Sequence, residues 1–221
     1  EAVAERLEVK RAVLAAAAAA APAEALIGSA SSSILPGTLQ EGVAHPERVL
    51  VIHPLNPVEL IPVIEVVPGP ATAVSAVAAA REFVRSLGKT PVVLGREVPG
   101  YVVNRLAAAL WREAIDLVLS GVVDAAELDT AASRGPCLGW TVQGPFLTYH
   151  LAAPGGLGPF MAHLGPAFQA IWASLARWDE LPPDAVAGLA AQVADAYGNT
   201  DRGALEAQRD RLLGQVIDQL Q

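Results

Sequence analysis

The chain has 221 residues, a formal net charge of −8 and an apolar fraction of 52%, which suits one domain or two small ones with a sizeable core. Its few Lys and Arg residues form no cluster, which argues against a nucleic-acid partner, and no uninterrupted apolar stretch reaches membrane-spanning length. The lone Cys137 excludes an intramolecular disulfide and fits a reducing, cytoplasmic compartment.

Apolar residues at helical spacing (Val3, Leu7, Leu14) predict a helix over 3–21, ended by Pro22. Its alanine run, 15–21, lacks bulky apolar residues and a basic leader, so it continues that helix and is no signal segment. A short strand is expected over 25–28, and the serines that follow it read as loop or capping residues. One helical turn over 36–40 and a loop over 41–48 come next. The apolar run 49–52 reads as a buried strand that delivers His53 at its end. Pro54 and Pro57 stop it, because proline cannot donate to a sheet ladder, and Asn56 lies in that turn. A second strand over 61–67 contains Glu65, an acid among apolar residues. A helix over 70–87, ended by Gly88, and a strand over 91–94 complete an alternation that predicts a parallel sheet.

Beyond residue 99 the pattern is helical. Helices are expected over 101–119, with Asn104 and Arg105 in its first turns, and over 124–133, with Asp124 as N-cap and Gly135 behind it. A Gly/Pro-rich loop over 135–145 leads into a helix over 146–153. A helical stretch lies within 155–177, and two more cover 182–197 and 204–220. The fold class is therefore α/β over 1–96 followed by an all-α domain over 97–221. The 221 residues contain no G-x-G-x-x-G, Walker A, G-x-S-x-G or metal-ligand spacing, so no metal is expected.

His53 at a strand end and Glu65 on a neighbouring strand can meet as an acid–base pair. Spacing leaves a second reading open, a satisfied core histidine and a solvent-facing acid. The motifs together go further. HPLNP (53–57) followed by Glu65, then VPGYVVNRL (98–106), then QGPF (143–146), resembles the 3-hydroxyacyl-CoA dehydrogenase family over essentially the whole chain. Residues 144–151 and 206–213 are most similar to the subgroup acting on small 3-hydroxy acids, carnitine 3-dehydrogenase and the lambda-crystallin/L-gulonate 3-dehydrogenase group.

The resemblance implies the C-terminal portion of a Rossmann-type NAD domain, then an all-α substrate domain that forms a homodimer. The start resembles the segment after the family's fourth strand, so about ninety residues with the glycine-rich turn would precede it in such a Rossmann half. The 221 residues alone would then not hold NAD in the usual way, whether as a fragment, beside a second chain, or after loss of that half. The implied activity is oxidation of the 3-hydroxyl of a small 3-hydroxy acid or hydroxyacyl-CoA by hydride transfer to NAD. A non-catalytic, crystallin-like homologue is the alternative.

By the resemblance, His53 is the general acid/base and Glu65 orients its imidazole. Ser32 and Asn104 bind and polarise the substrate at C3. Glu5, Lys10, Ser32 and Asn56 fall where the family contacts NAD. Read without the family, Glu5 and Lys10 are a solvated helix face, Asn56 a turn residue and Asn104 a helix cap. Two positions depart from the family pattern: Ala30 stands where many members have Asn, and Gly139 where the small-acid subgroup often has a carboxylate-binding Arg. Trp140, Phe146 and Tyr149 either face a cationic head group or are core and interface aromatics.

Overall fold

The computed structural model describes residues 1–183 and 185–220. Two units divide the chain, Glu1–Ala107 and Ala108–Gln221. Residues 97–107 lie with the first of them. There Tyr101 is buried in the apolar core, and the Val102 and Val103 amides bond to Glu65.

The first unit is built on a four-stranded sheet in the order β1-β2-β3-β4, formed by Ile27–Ser29, Val49–Pro54, Val63–Pro68 and Thr90–Val93. β1 and β2 are parallel, with Ser29 level with Val51, and β3 and β4 are parallel. β2 and β3 are antiparallel, which corrects the expectation of a parallel sheet. The link 55–62 is too short for a crossover, which takes about a dozen residues or more.

Side chains alternate across β2. Val49 and Val51 join Leu14, Leu39, Val67 and Tyr101 on one face. Leu50 joins Ile64, Val66, Ala80 and Val84 on the other. Both faces are covered, which is why β2 reads as an unbroken apolar run. Each such fully buried Val or Leu contributes about 1.5–3 kcal/mol.

The flanking helices are α1 (Leu7–Ala20), the single turn α2 (Pro36–Gln40) and α3 (Val74–Ser86). α1 starts later than expected, because the residues ahead of it run beside β1, where Ala30 N donates to Glu1 O at 2.9 Å. The expected loop 41–48 contains a 3₁₀ turn, Pro46–Arg48. Its buried Arg48 closes the C-terminus of α1, donating to Ala18 O at 2.5 Å and to Pro22 O.

The second unit holds most of α4 (Val103–Leu119) together with α5 (Ala125–Arg134), α6 (Pro136–Leu151), α7 (Leu157–Ser174), α8 (Ala185–Tyr197) and α9 (Arg202–Leu220). Asp124 caps α5, its carboxylate accepting from Glu127 N at 2.8 Å. The segment expected as a loop, 135–145, is largely helical. Pro136 sits in the first turn of α6, where its missing N–H costs nothing. The break comes at Gly144 (φ 72°, ψ 165°), and Pro145 opens the second piece. α5 packs on α6 and α8, and α6 on α7. The helix expected over 182–197 runs from Ala185; residue 184 within that expectation lies outside the described residues, as does residue 221 of the all-α domain. Among the described residues no helix is long and apolar enough to cross a membrane.

Candidate active site

The antiparallel register places His53 directly opposite Glu65. Opposed residues project to the same face of a sheet, so the two side chains meet. His53 Nδ1 lies 2.8 Å from Glu65 Oε2. Glu65 is fully buried and His53 is 4% exposed. A carboxylate can only accept, so Nδ1 carries the hydrogen and the lone pair of the neutral imidazole is on Nε2. Nε2 has no protein partner among the described residues.

The second oxygen of Glu65 accepts from Val102 N at 2.8 Å and Val103 N at 3.0 Å. These amides open α4, where unpaired N–H groups and the helix dipole favour an anion. Glu65 is thus tied to three donors and holds His53 and the start of α4 together.

Gly100 (φ 74°) and Tyr101 (φ 50°) turn the chain into this position. A positive φ is uncommon for a bulky residue and persists only where the surroundings impose it. Here the Tyr101 ring is fully buried, stands edge-on to the His53 ring with centroids 5.3 Å apart, and donates its hydroxyl to Ile34 O at 2.8 Å. Burial, reinforced by the carboxylates of Glu5, Glu65 and Glu97, pushes the Tyr101 phenol above its ordinary range.

The parallel register of β1 and β2 brings the serine loop off the same sheet edge as His53. Glu5 gathers that loop. Its Oε1 accepts from Ser31 Oγ (2.5 Å), Ser32 N (3.1 Å), Ser33 N (3.0 Å) and Ser33 Oγ (2.9 Å). Asn104, one residue into α4, donates from Nδ2 to Ser32 O at 3.2 Å. The structure therefore brings Ser32 to Asn104 and His53 to Glu65.

Lys10 is not on a solvated face. It is 1% exposed, and its Nζ reaches Glu5 Oε2 at 3.1 Å, Val3 O at 3.2 Å and both oxygens of Glu1 at 3.3 Å. Burial acts to raise the Glu5 pKa, but Ser31, Ser33 and Lys10 outweigh it and hold the carboxyl at about 2. Asn56 is exposed in the turn after β2, joined to Pro57 by a cis peptide, and makes no side-chain hydrogen bond among the described residues. Sequence reasoning missed Tyr101, the α4 amides and the loop-holding role of Glu5. A Gly directly before a helix that starts at a motif is the one signal that pointed to the tight turn at residues 100–101.

In the second unit, Tyr149 packs on Phe160 (centroids 5.1 Å) and Phe168 (5.6 Å), while Phe146 is 80% exposed. Of the three aromatics read together from the sequence, Trp140 and Tyr149 are half-buried and Phe146 is exposed.

Residues 1–98 match the 3-hydroxyacyl-CoA dehydrogenase NAD binding domain, and residues 100–191 match the C-terminal domain of the same enzymes. An L-carnitine dehydrogenase of Pseudomonas syringae is 42% identical over 222 residues, covering 99% of this chain and 69% of the relative. Another from Streptomyces coelicolor is 39% identical, covering 95% and 69%. Among solved structures, an FHMPC 5-dehydrogenase described as an NAD+ dependent dismutase superposes with a TM-score of 0.85 at 30% identity, over 100% of this chain and 72% of its own. The 3-hydroxybutyryl-CoA dehydrogenase of Escherichia coli gives 0.58 at 32% identity, over 78% and 35%. A Rossmann-type unit followed by a helical one, with these matches, defines an NAD-dependent dehydrogenase. The chain belongs to the 3-hydroxyacyl-CoA dehydrogenase family, on the side of the L-carnitine dehydrogenases.

Proposed function

We propose that the protein oxidises the 3-hydroxyl of a small 3-hydroxy acid, L-carnitine first among candidates, with His53 as the proton acceptor. The observation that carries this reading is the His53–Glu65 pair at 2.8 Å with Nε2 left free. Nε2 takes the hydroxyl proton as C3 becomes a carbonyl. The Glu65 carboxylate, held by two α4 amides, stands against the charge the imidazole acquires. Ser32 and Asn104 donors steady the C3 oxygen as its charge changes.

Two of these residues suit a contact with NAD. Ligands of such sheets bind beyond the carboxyl ends of parallel strands, and Ser32 and Asn56 present exposed side chains after β1 and β2. These two would hold it, and the chemistry NAD supplies when bound is acceptance of the hydride from C3. The relatives named L-carnitine dehydrogenase support the substrate.

Exposed Leu138, Val142, Phe146, Leu147 and Leu151 on α6 support a homodimer through the helical unit. The unpaired Cys137 supports a cytoplasmic setting. Initial rates of NADH formation with L-carnitine and with 3-hydroxybutyryl-CoA test the reading in the complete protein. L-carnitine should be the better substrate. Turnover of neither would overturn the proposal, and preference for the thioester would replace the substrate.

A further inference from the structure

We infer that Lys89 is a positioning residue, which clamps the turn 57–61 and through it holds Asn56 in place for the cofactor. This rests on the dehydrogenase reading above, with Asn56 as a contact of NAD.

Gly88 (φ 71°) follows the end of α3 and turns the chain so that Lys89 stands directly ahead of β4. There its Nζ donates to Val58 O at 2.9 Å, Ile61 O at 3.0 Å and Glu59 O at 3.2 Å. An ammonium has three N–H donors, so all of them go to this one turn. The next residue continues the seam, with Thr90 N donating to Pro62 O at 2.7 Å. The turn is also closed on itself, since Leu60 N and Ile61 N both donate to Pro57 O, at 3.1 and 2.9 Å. Upstream, the β2–β3 ladder holds the chain as far as Pro54, opposite Ile64. Leu55 and Asn56 lie between these two held ends. The Asn56 side chain is exposed and bonds to no protein group among the described residues, so this backbone sets its place. A group already held where its ligand needs it costs less ordering entropy on binding. His53 is secured separately, by the ladder and by Glu65. The clamp therefore acts on cofactor affinity and not on proton transfer.

Loss of a uniform binding contribution weakens binding and leaves kcat unchanged. Calorimetry with NADH on the complete protein reads the affinity, and kcat with a 3-hydroxy acid at saturating NAD is measured alongside. Lys89→Met should raise the Kd for NADH about 3–10-fold, the range set by ordering one or two side chains, and change kcat less than about threefold. Asn56→Ala should also raise the Kd. The double variant should match Asn56→Ala alone, because Lys89 acts through Asn56. An unchanged Kd in either single variant would overturn the inference. So would a double variant weakened by the product of the single effects, or a kcat lost at unchanged Kd. If Lys89→Met fails to fold, Lys89→Arg gives the same test. It keeps the charge, but its planar fork does not match three carbonyls that converge on one point. Its Kd should rise about 2–5-fold, and an unchanged Kd would overturn the inference. A wild type that binds no NADH sinks the dehydrogenase reading, whereas a wild type that binds NADH no better than Lys89→Met sinks the clamp alone.

Discussion

Replacing Glu65 by Gln changes one atom and separates orientation from packing. The amide has one oxygen and one nitrogen where the carboxylate has two oxygens. Keeping the oxygen on Val102 N and Val103 N preserves bonds of 2.8 and 3.0 Å. The amide nitrogen then faces His53 Nδ1, 2.8 Å away in the wild type. The opposite rotamer would set the nitrogen against two backbone donors, so the first is preferred. Two N–H groups cannot bond to each other, and His53 must move its hydrogen to Nε2. The reactive nitrogen then holds a proton and cannot take one from the substrate. Turnover should fall by about 10²–10⁴, the usual worth of a positioned acid–base group.

The stability cost of the same change is smaller. Neutral bonds replace charge-assisted ones, at roughly 1–1.5 kcal/mol, and the anion at the α4 N-terminus is lost, at about 0.3–1 kcal/mol. About 2 kcal/mol lowers Tm by roughly 4–8 °C in a chain of this size. Initial rates read from NADH absorbance, with thermal melts by circular dichroism, measure both. A Glu65→Gln enzyme folded and within about threefold of wild-type turnover would refute this account of the pair.

Three further outcomes follow from the same geometry. Tyr101→Phe removes the hydroxyl bond to Ile34 O but keeps the ring on His53, so melts should show a loss of about 0.5–1.5 kcal/mol with most turnover retained. Glu5 sits at about 2 against an ordinary 4.5, so its stabilising contribution is full above pH 4.5 and is lost as the pH falls toward 2. Thermal melts across that window should show wild type above Glu5→Gln at its upper end and the two converging at its lower end. Light scattering at micromolar concentration should give a dimer, and Phe146→Asp on the exposed face of α6 should shift it toward monomer.

The contact between His53 and Glu65 is readable in the sequence, because an acid inside an apolar strand and a histidine before a proline stop are local signals. The direction of β3 does not follow from alternation, and only the short link after Pro54 decides it. Lys10 looks like any helical lysine, since its partners Glu1, Val3 and Glu5 belong to the segment ahead of α1, whose course beside β1 the helical spacing does not show. Tyr101 is invisible for a different reason: its role depends on a positive φ and on Ile34, far upstream in the chain. Residues 135–145 mislead because Gly and Pro punctuate most chains as loops. Here Pro136 opens a helix and Gly144 alone breaks it.

The central claim is that His53 moves the substrate proton. His53→Ala in the complete protein, assayed for kcat and KM with L-carnitine and NAD, tests it most directly. The account predicts a kcat lower by about two to four orders of magnitude, with a much smaller change in KM. A His53→Ala enzyme with near-normal turnover would contradict it and remove His53 from the chemistry whatever its bond to Glu65.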